Sequence, residues 1–290
     1  MKNQRLFHFF LLTICILSFA AIYPAQTKSL IRRTTYKTEN IRFETGGTIS
    51  IVGAPNGSLS VEGWDKNELE ISADIEVQAE TETDLARLSQ INGFVLDENI
   101  GRLSIISVGT HDKNYLKRLG QKLSKSLLSM PFKIDYRVKI PNFSNLEIDG
   151  GLGDLSISKI VGAMRINFLR SNAKLDLDGG IVNATFGSGT VDVSINPRIG
   201  RASRFDVQMA NGSVNVELSN NADVEINVKI LRTGKIENAS GLLKSRSRAK
   251  FTDKLISATV GKGGAMLSFI VGDGTIKIHD SKFLGGNRER

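Results

Sequence analysis

The chain has 290 residues, of which 40% are hydrophobic and 23% charged, with 28 Gly, 5 Pro, a single Cys and a formal net charge of +8. These proportions exclude a disordered, collagen-like or disulfide-stapled chain, and the length suffices to bury a sizeable core in one large domain or two small ones.

The N-terminus sets the expected compartment. Lys2 and Arg5 precede a run from Leu6 to Ile22 that is apolar except for His8, Thr13 and Ser18, and no acidic residue comes before Glu39. A basic stretch followed by an apolar run and small residues at Ala20 and Ala25 is the pattern of a secretory signal peptide. Residues 1–25 are therefore expected to be removed, with 26–35 as a linker and export to the periplasm, cell surface or medium. Removal of Lys2, Arg5 and Cys15 lowers the basic count from 38 to 36 against 30 acidic residues, a net charge of +6, and leaves no disulfide. No later apolar segment is long enough to span a bilayer.

From Thr48 onward the dominant period is two. Thr48-Ile49-Ser50-Ile51, Ser58-Leu59-Ser60-Val61 and Leu69-Glu70-Ile71 place apolar residues on one face of short strands, separated by turns such as Pro55-Asn56-Gly57. Two segments between 80 and 130 break this pattern. Thr81-Glu82-Thr83-Asp84 has a capping spacing and is followed by Leu85, Leu88 and Ile91 at helical intervals. Asn114 to Ser129 reads as one amphipathic helix, with Leu116, Leu119, Leu123 and Leu127 on one face and Lys117, Arg118, Lys122 and Lys125 elsewhere. This insertion is expected to cover one open end of the strand stack.

The strand pattern then returns. Leu146/Ile148, Leu155/Ile157, Met164/Ile166, Leu175/Leu177, Val182/Ala184, Val191/Val193, Phe205/Val207, Val214/Val216 and Val224/Ile226 are followed by Met266/Ser268 with Phe269 and by Ile276/Ile278. One strand and one turn about every nine to ten residues is the signature of stacked coils, although a barrel or sandwich uses similar spacing. Recurrent Gly, Asn and Asp turns (Asp149-Gly150-Gly151, Asp178-Gly179-Gly180, Asn211-Gly212-Ser213) favour the stack. The predicted fold is all-β: a β-solenoid or flattened β-roll over residues 36–280 with a small helical insertion, ending in a polar tail at 281–290.

The order Gly-x-Ile-x-Ile (47–51), Gly-Ser-Leu-Ser-Val-Glu-Gly-Trp-Asp (57–65), helical insertion, Tyr136-Arg-Val-Lys-Ile-Pro141, Gly-x-Leu/Val-x-Ile/Val coils and Gly272-Asp-Gly-Thr-Ile-Lys-Ile278 resembles the bacterial DUF4097 putative-adhesin family over about residues 36 to 280. The resemblance implies an exported, β-helix-like, non-enzymatic module related in character to autotransporter adhesin heads. It supplies no catalytic residues.

Enzyme chemistry finds little support in the residues. The mature chain keeps only His111 and His279, and it lacks a nucleophile elbow, a zinc motif, a phosphate loop and a thiol. Gly150-Gly151-Leu152-Gly153-Asp154 departs by one residue from a calcium-binding repeat and is read as a turn, so neither metal nor cofactor is expected. The alternative function is a polysaccharide-acting β-helix enzyme using Asp149, Asp154, Asp176, Asp178, Asp192 and Asp206. The charge distribution favours binding instead. Lys113, Lys117, Arg118, Lys122, Lys125, Lys133, Arg137 and Lys139 share their stretch with only Asp112 and Asp135, while Lys244, Arg246, Arg248, Lys250 and Lys254 share theirs with Asp253. Lys117, Arg118, Lys122 and Lys125 are the candidate binding residues, for an anionic envelope polymer or glycan or for a protein partner. Export and the absence of a recognised motif argue against nucleic acid.

Overall fold

The computed structural model describes residues 29–120, 122–246 and 251–281. The predicted signal segment 1–25 and residues 282–290 of the predicted tail lie outside them. All the strands of the described residues belong to one continuous 17-stranded sheet.

Its centre consists of four long strands, β10 (Gly162–Leu177), β11 (Gly180–Ile195), β12 (Arg204–Leu218) and β17 (Ala265–Asp280). Each joins two of the short period-two segments through a bend, so the stacking unit is two segments rather than one. The rungs lie parallel and in register: Met164, Val182, Phe205 and Leu267 align in the first halves, and Leu175, Val193, Val216 and Ile278 in the second. Both rows feed one buried cluster, which includes Phe186, Phe205 and Phe269. Each such apolar side chain stabilises by about 1.5–3 kcal/mol when removed from water.

In β11, β12 and β17 the bend falls on a column of glycines, while β10 carries Ser171 at that position. Gly189, Gly212 and Gly274 have φ of 128°, 138° and 145°, and they stack directly on one another. A Cβ on Gly212 would lie 2.1 Å from the Gly189 carbonyl oxygen, and one on Gly274 1.8 Å from that of Gly212. Rungs at ordinary strand spacing leave no room for a side chain pointing along the stack.

Chain order and spatial order part at both ends. Four shorter strands, β2 (Thr48–Val52), β3 (Leu59–Trp64), β8 (Asn145–Leu152) and β9 (Leu155–Ser158), form two further rungs. Outside β2 and β3, on the side away from β8 and β9, lie β6 (Arg102–Val108) and β7 (Phe132–Pro141), both parallel to their neighbours. Antiparallel strands then close this end: β5 (Gly93–Asn99) on β6, β4 (Glu68–Ala79) on β7, and β1 (Ile31–Arg42) on β4. Residues 31–35, expected as linker, are thus the start of β1, held by main-chain pairing to Ile75–Ala79.

At the other end β17 lies between β12 and the pair β13 (Val224–Ile230) and β14 (Gly234–Asn238), although both precede it in the chain. β16 (Leu255–Val260) pairs antiparallel with β13, and β15 (Lys244–Ser245) with β16. The expected inward pair Met266/Ser268 is off by one residue: Leu267 and Phe269 face the core, at 1% and 0% exposure, and Met266 is 41% exposed. Ala-Met-Leu-Ser-Phe-Ile-Val carries apolar residues in both phases, and stacking on Phe205 and Val207 selects one.

The insertion holds three short helices, α1 (Glu82–Ile91), α2 (Lys113–Arg118) and α3 (Lys125–Leu128). α1 begins as expected, with the Thr81 hydroxyl accepting from the Asp84 amide at 3.1 Å. Leu85 and Leu88 pack with Val77, Ala79 and Leu127 in a second, smaller core. The single helix expected over 114–129 is instead two. Gly120, at φ 64°, donates to the Lys117 carbonyl at 3.1 Å and ends α2, and the Ser124 hydroxyl accepts from Leu127 to start α3. Leu119, expected on the buried face, is 45% exposed as a result.

Candidate functional site

Two sets of residues were singled out by the sequence, the coil carboxylates and the basic stretch. Most of the carboxylates are engaged between or along rungs. Asn167 donates to Asp149 at 2.7 Å, Asn172 to Asp154 at 3.2 Å and Asn196 to Asp178 at 2.6 Å, each amide 18 residues downstream of its acid. Asn215 donates to Asp192 at 2.6 Å across a rung lengthened to 23 residues, and Gln208 donates to Asp206 at 3.1 Å. Asp149 also pairs with Arg165 at 3.2 Å. These acids tie neighbouring amides in place along the rungs. Asp176 differs. Partial burial, reinforced by the charges of Asp178 and Glu217, raises its pKa, and Ser194 and Glu217 occupy the same position on the next two rungs. Among the described residues no group of His, Cys, Asp and Glu has the arrangement to hold a metal ion.

The basic stretch is divided by the fold. Lys133, Arg137 and Lys139 sit on β7 beside the acidic strand β4, which is distant in sequence. Arg137 pairs with Asp74 at 2.9 Å, Lys139 with Glu70 at 3.0 Å, and Lys133 with Asp135 at 2.9 Å. The reading that this charge is nearly unopposed therefore fails for β7, because antiparallel pairing supplies counterions that local sequence does not show. In the second stretch Arg246 pairs with Glu225 at 2.8 Å, and the Lys254 ammonium donates to the carbonyls of Arg232 and Gly234. Arg248 and Lys250 lie outside the described residues.

Of the first basic stretch, the cations without an acidic partner among the described residues lie on or beside α2 and α3. An open groove of about 620 Å³ is lined by Thr110, His111, Lys113, Leu116, Lys117, Gly120, Lys122 and Leu128. Lys113, Lys117 and Lys122 have no acidic partner among the described residues. The nearby Asp112 caps α2 by accepting from the Asn114 and Tyr115 amides, both at 2.9 Å, which turns its charge toward the helix. Of the four predicted residues, the structure brings Lys117 and Lys122 together in this groove and leaves two outside its lining. Arg118 lies over the Tyr115 ring at 6.0 Å, and Lys125 opens α3.

The groove is anchored from behind. Buried Asn92 donates to the Leu88 carbonyl at 2.9 Å and accepts from the Thr110 amide at 3.1 Å, fixing the start of the groove to the end of α1. Arg87 donates to the Lys122 carbonyl at 3.0 Å, and the His111 ring stacks on Phe132 at 5.4 Å. Partial desolvation beside Phe132 lowers the His111 pKa, against the opposing charge of Asp112. Residues 113–139 were the expected binding stretch, but Lys113, Leu116 and Leu128 were not among its four named residues, and His111 fell outside it. The Lys113–Lys117 spacing, one helical turn on one face, was the available signal.

No family model matches the chain, and no curated protein matches it. Similar solved structures include a putative cell adhesion protein of Clostridium sporogenes, 13% identical over 87% of this chain and 100% of that one with a TM-score of 0.46. A putative adhesin of Bacteroides fragilis is 12% identical over 88% and 98% with a TM-score of 0.31, and a putative lipid binding protein of Parabacteroides distasonis 10% identical over 86% and 97% with a TM-score of 0.22. Likeness at this level carries no role over to the chain.

Proposed function

We propose that the chain is an exported, non-catalytic binding module of the bacterial envelope or surface, which engages an anionic envelope constituent through the basic groove of residues 110–128. The observation that carries this reading is the contrast in charge compensation. The lysines and arginines of β7 are matched by β4, while Lys113, Lys117 and Lys122 converge on one concavity without counterions among the described residues. Export rests on the Lys2, Arg5 and Leu6 to Ile22 pattern, and an adhesive role on the family resemblance of the coils.

The test uses the mature chain with dextran sulfate as an anionic polymer probe. Binding is expected to weaken steeply as salt rises, because the Debye length falls from about 10 Å at 0.1 M to about 3 Å at 1 M. Exchanging Lys117, Arg118, Lys122 and Lys125 together for Gln is expected to weaken it at least about tenfold without lowering the melting temperature. Salt-insensitive binding that survives the fourfold exchange would overturn the reading. The polysaccharide-enzyme reading retains one supporting feature, the raised pKa of Asp176 beside Asp178 and Glu217. Turnover of an acidic glycan that is lost on exchanging Asp176 and Asp178 for Asn would establish it.

A further inference from the structure

The groove is not only basic. Its wall includes Leu116 and Leu128, the latter 41% exposed, and three of its lining residues are lysines whose carbon stems can extend an apolar wall while their ammonium groups stay in water. A hydrophilic polyanion can satisfy the lysines but leaves Leu128 wet, and a small inorganic anion does the same. A molecule that satisfies both carries one negative headgroup on a flexible aliphatic chain. The volume of about 620 Å³ is within the range of about 300–1,000 Å³ usual for small-molecule sites.

From this combination we infer that the groove binds a free single-chain anionic amphiphile, its headgroup among Lys113, Lys117 and Lys122 and its chain against Leu116 and Leu128. The inference rests on the proposed binding role and names the ligand class. Charge complementarity selects the sign, since among the described residues the lining contains three cations and no carboxylate. Leu116 is buried, at 7% exposure, while Leu128 is open to a ligand. His111 adds a flat ring held by Phe132 at the groove's start.

Laurate, titrated calorimetrically into the mature chain below its micelle concentration, is the probe. Saturable binding at one site is expected, with dodecyltrimethylammonium and acetate each binding at least about tenfold more weakly. Lys117→Gln combined with Lys122→Gln, and separately Leu128→Ser, are each expected to weaken laurate binding at least about tenfold with unchanged melting temperature. All of these positions are exposed, so folding is not at stake. Equal affinity for the cationic amphiphile, insensitivity to both variants, absence of laurate binding, or binding only to phosphatidylglycerol vesicles would each overturn the inference. Dextran sulfate distinguishes the two levels: if it binds and laurate does not, the amphiphile site fails alone, and if neither binds, the binding role fails with it.

Discussion

A chain that ends at Gly264 is expected to show no cooperative unfolding transition. The missing strand β17 lies in the interior of the stack, with β12 on one side and β13 and β14 on the other. Its loss removes Leu267, Phe269, Val271, Ile276 and Ile278, all at or below 1% exposure. At about 1.5–3 kcal/mol for each buried side chain, the deficit is roughly 8–15 kcal/mol. That is the size of the whole stability of an ordinary domain, about 5–15 kcal/mol. The main-chain partners of β12 and β13 are lost as well, exposing two edges within the stack. Circular dichroism and thermal melting of the truncated chain provide the check. A soluble β-rich product that melts cooperatively would mean that β13 can close directly onto β12 and that β17 is an addition to a stack complete without it.

The second large effect is expected at the bend. Gly274→Ala places a methyl group 1.8 Å from the Gly212 carbonyl oxygen at a φ of 145°, so both the clash and the backbone conformation oppose it. Residues held in such regions cost about 1–3 kcal/mol from backbone strain alone. Relieving the clash requires parting two rungs that are paired along their length. A loss above about 3 kcal/mol is expected by chemical denaturation, near the exceptional end for a single substitution. Gly101→Ala is the control: its φ of 70° is also left-handed, but nothing lies within 4 Å of the added methyl. It is expected to cost only the left-handed strain, about 1–2 kcal/mol. Equal losses at the two positions would show that rung spacing does not set the glycine requirement.

Much of the fold was legible as alternation. Leu146/Ile148, Val191/Val193 and Ile276/Ile278 face the core as their period-two pattern indicates, because a residue's side of a strand is a local property. The rung was not legible, since a bend that continues a coil and a turn that reverses it use the same Gly, Asn and Asp. The insertion of β17 between earlier strands was equally hidden, as it depends on which rows fit together across long sequence separations. Gly120 did carry the signal to end α2. The leucine spacing from Leu116 to Leu127 outweighed it, although Leu119 finds no core to enter. For the site, the stretch of lysines and arginines was visible in the chain, but its neutralised half was not. Asp74 and Glu70 reach Arg137 and Lys139 only because β4 runs antiparallel to β7.

On the proposed function, recognition resides in the groove beside α2 and α3 and not on the strand faces. Amide hydrogen exchange of the mature chain, with and without dextran sulfate at low salt, separates the two locations. Slowed exchange confined to residues 110–128, reversed by high salt, is the predicted result. Slowed exchange around Asp176, Ser194 and Glu217 with residues 110–128 unchanged would contradict it.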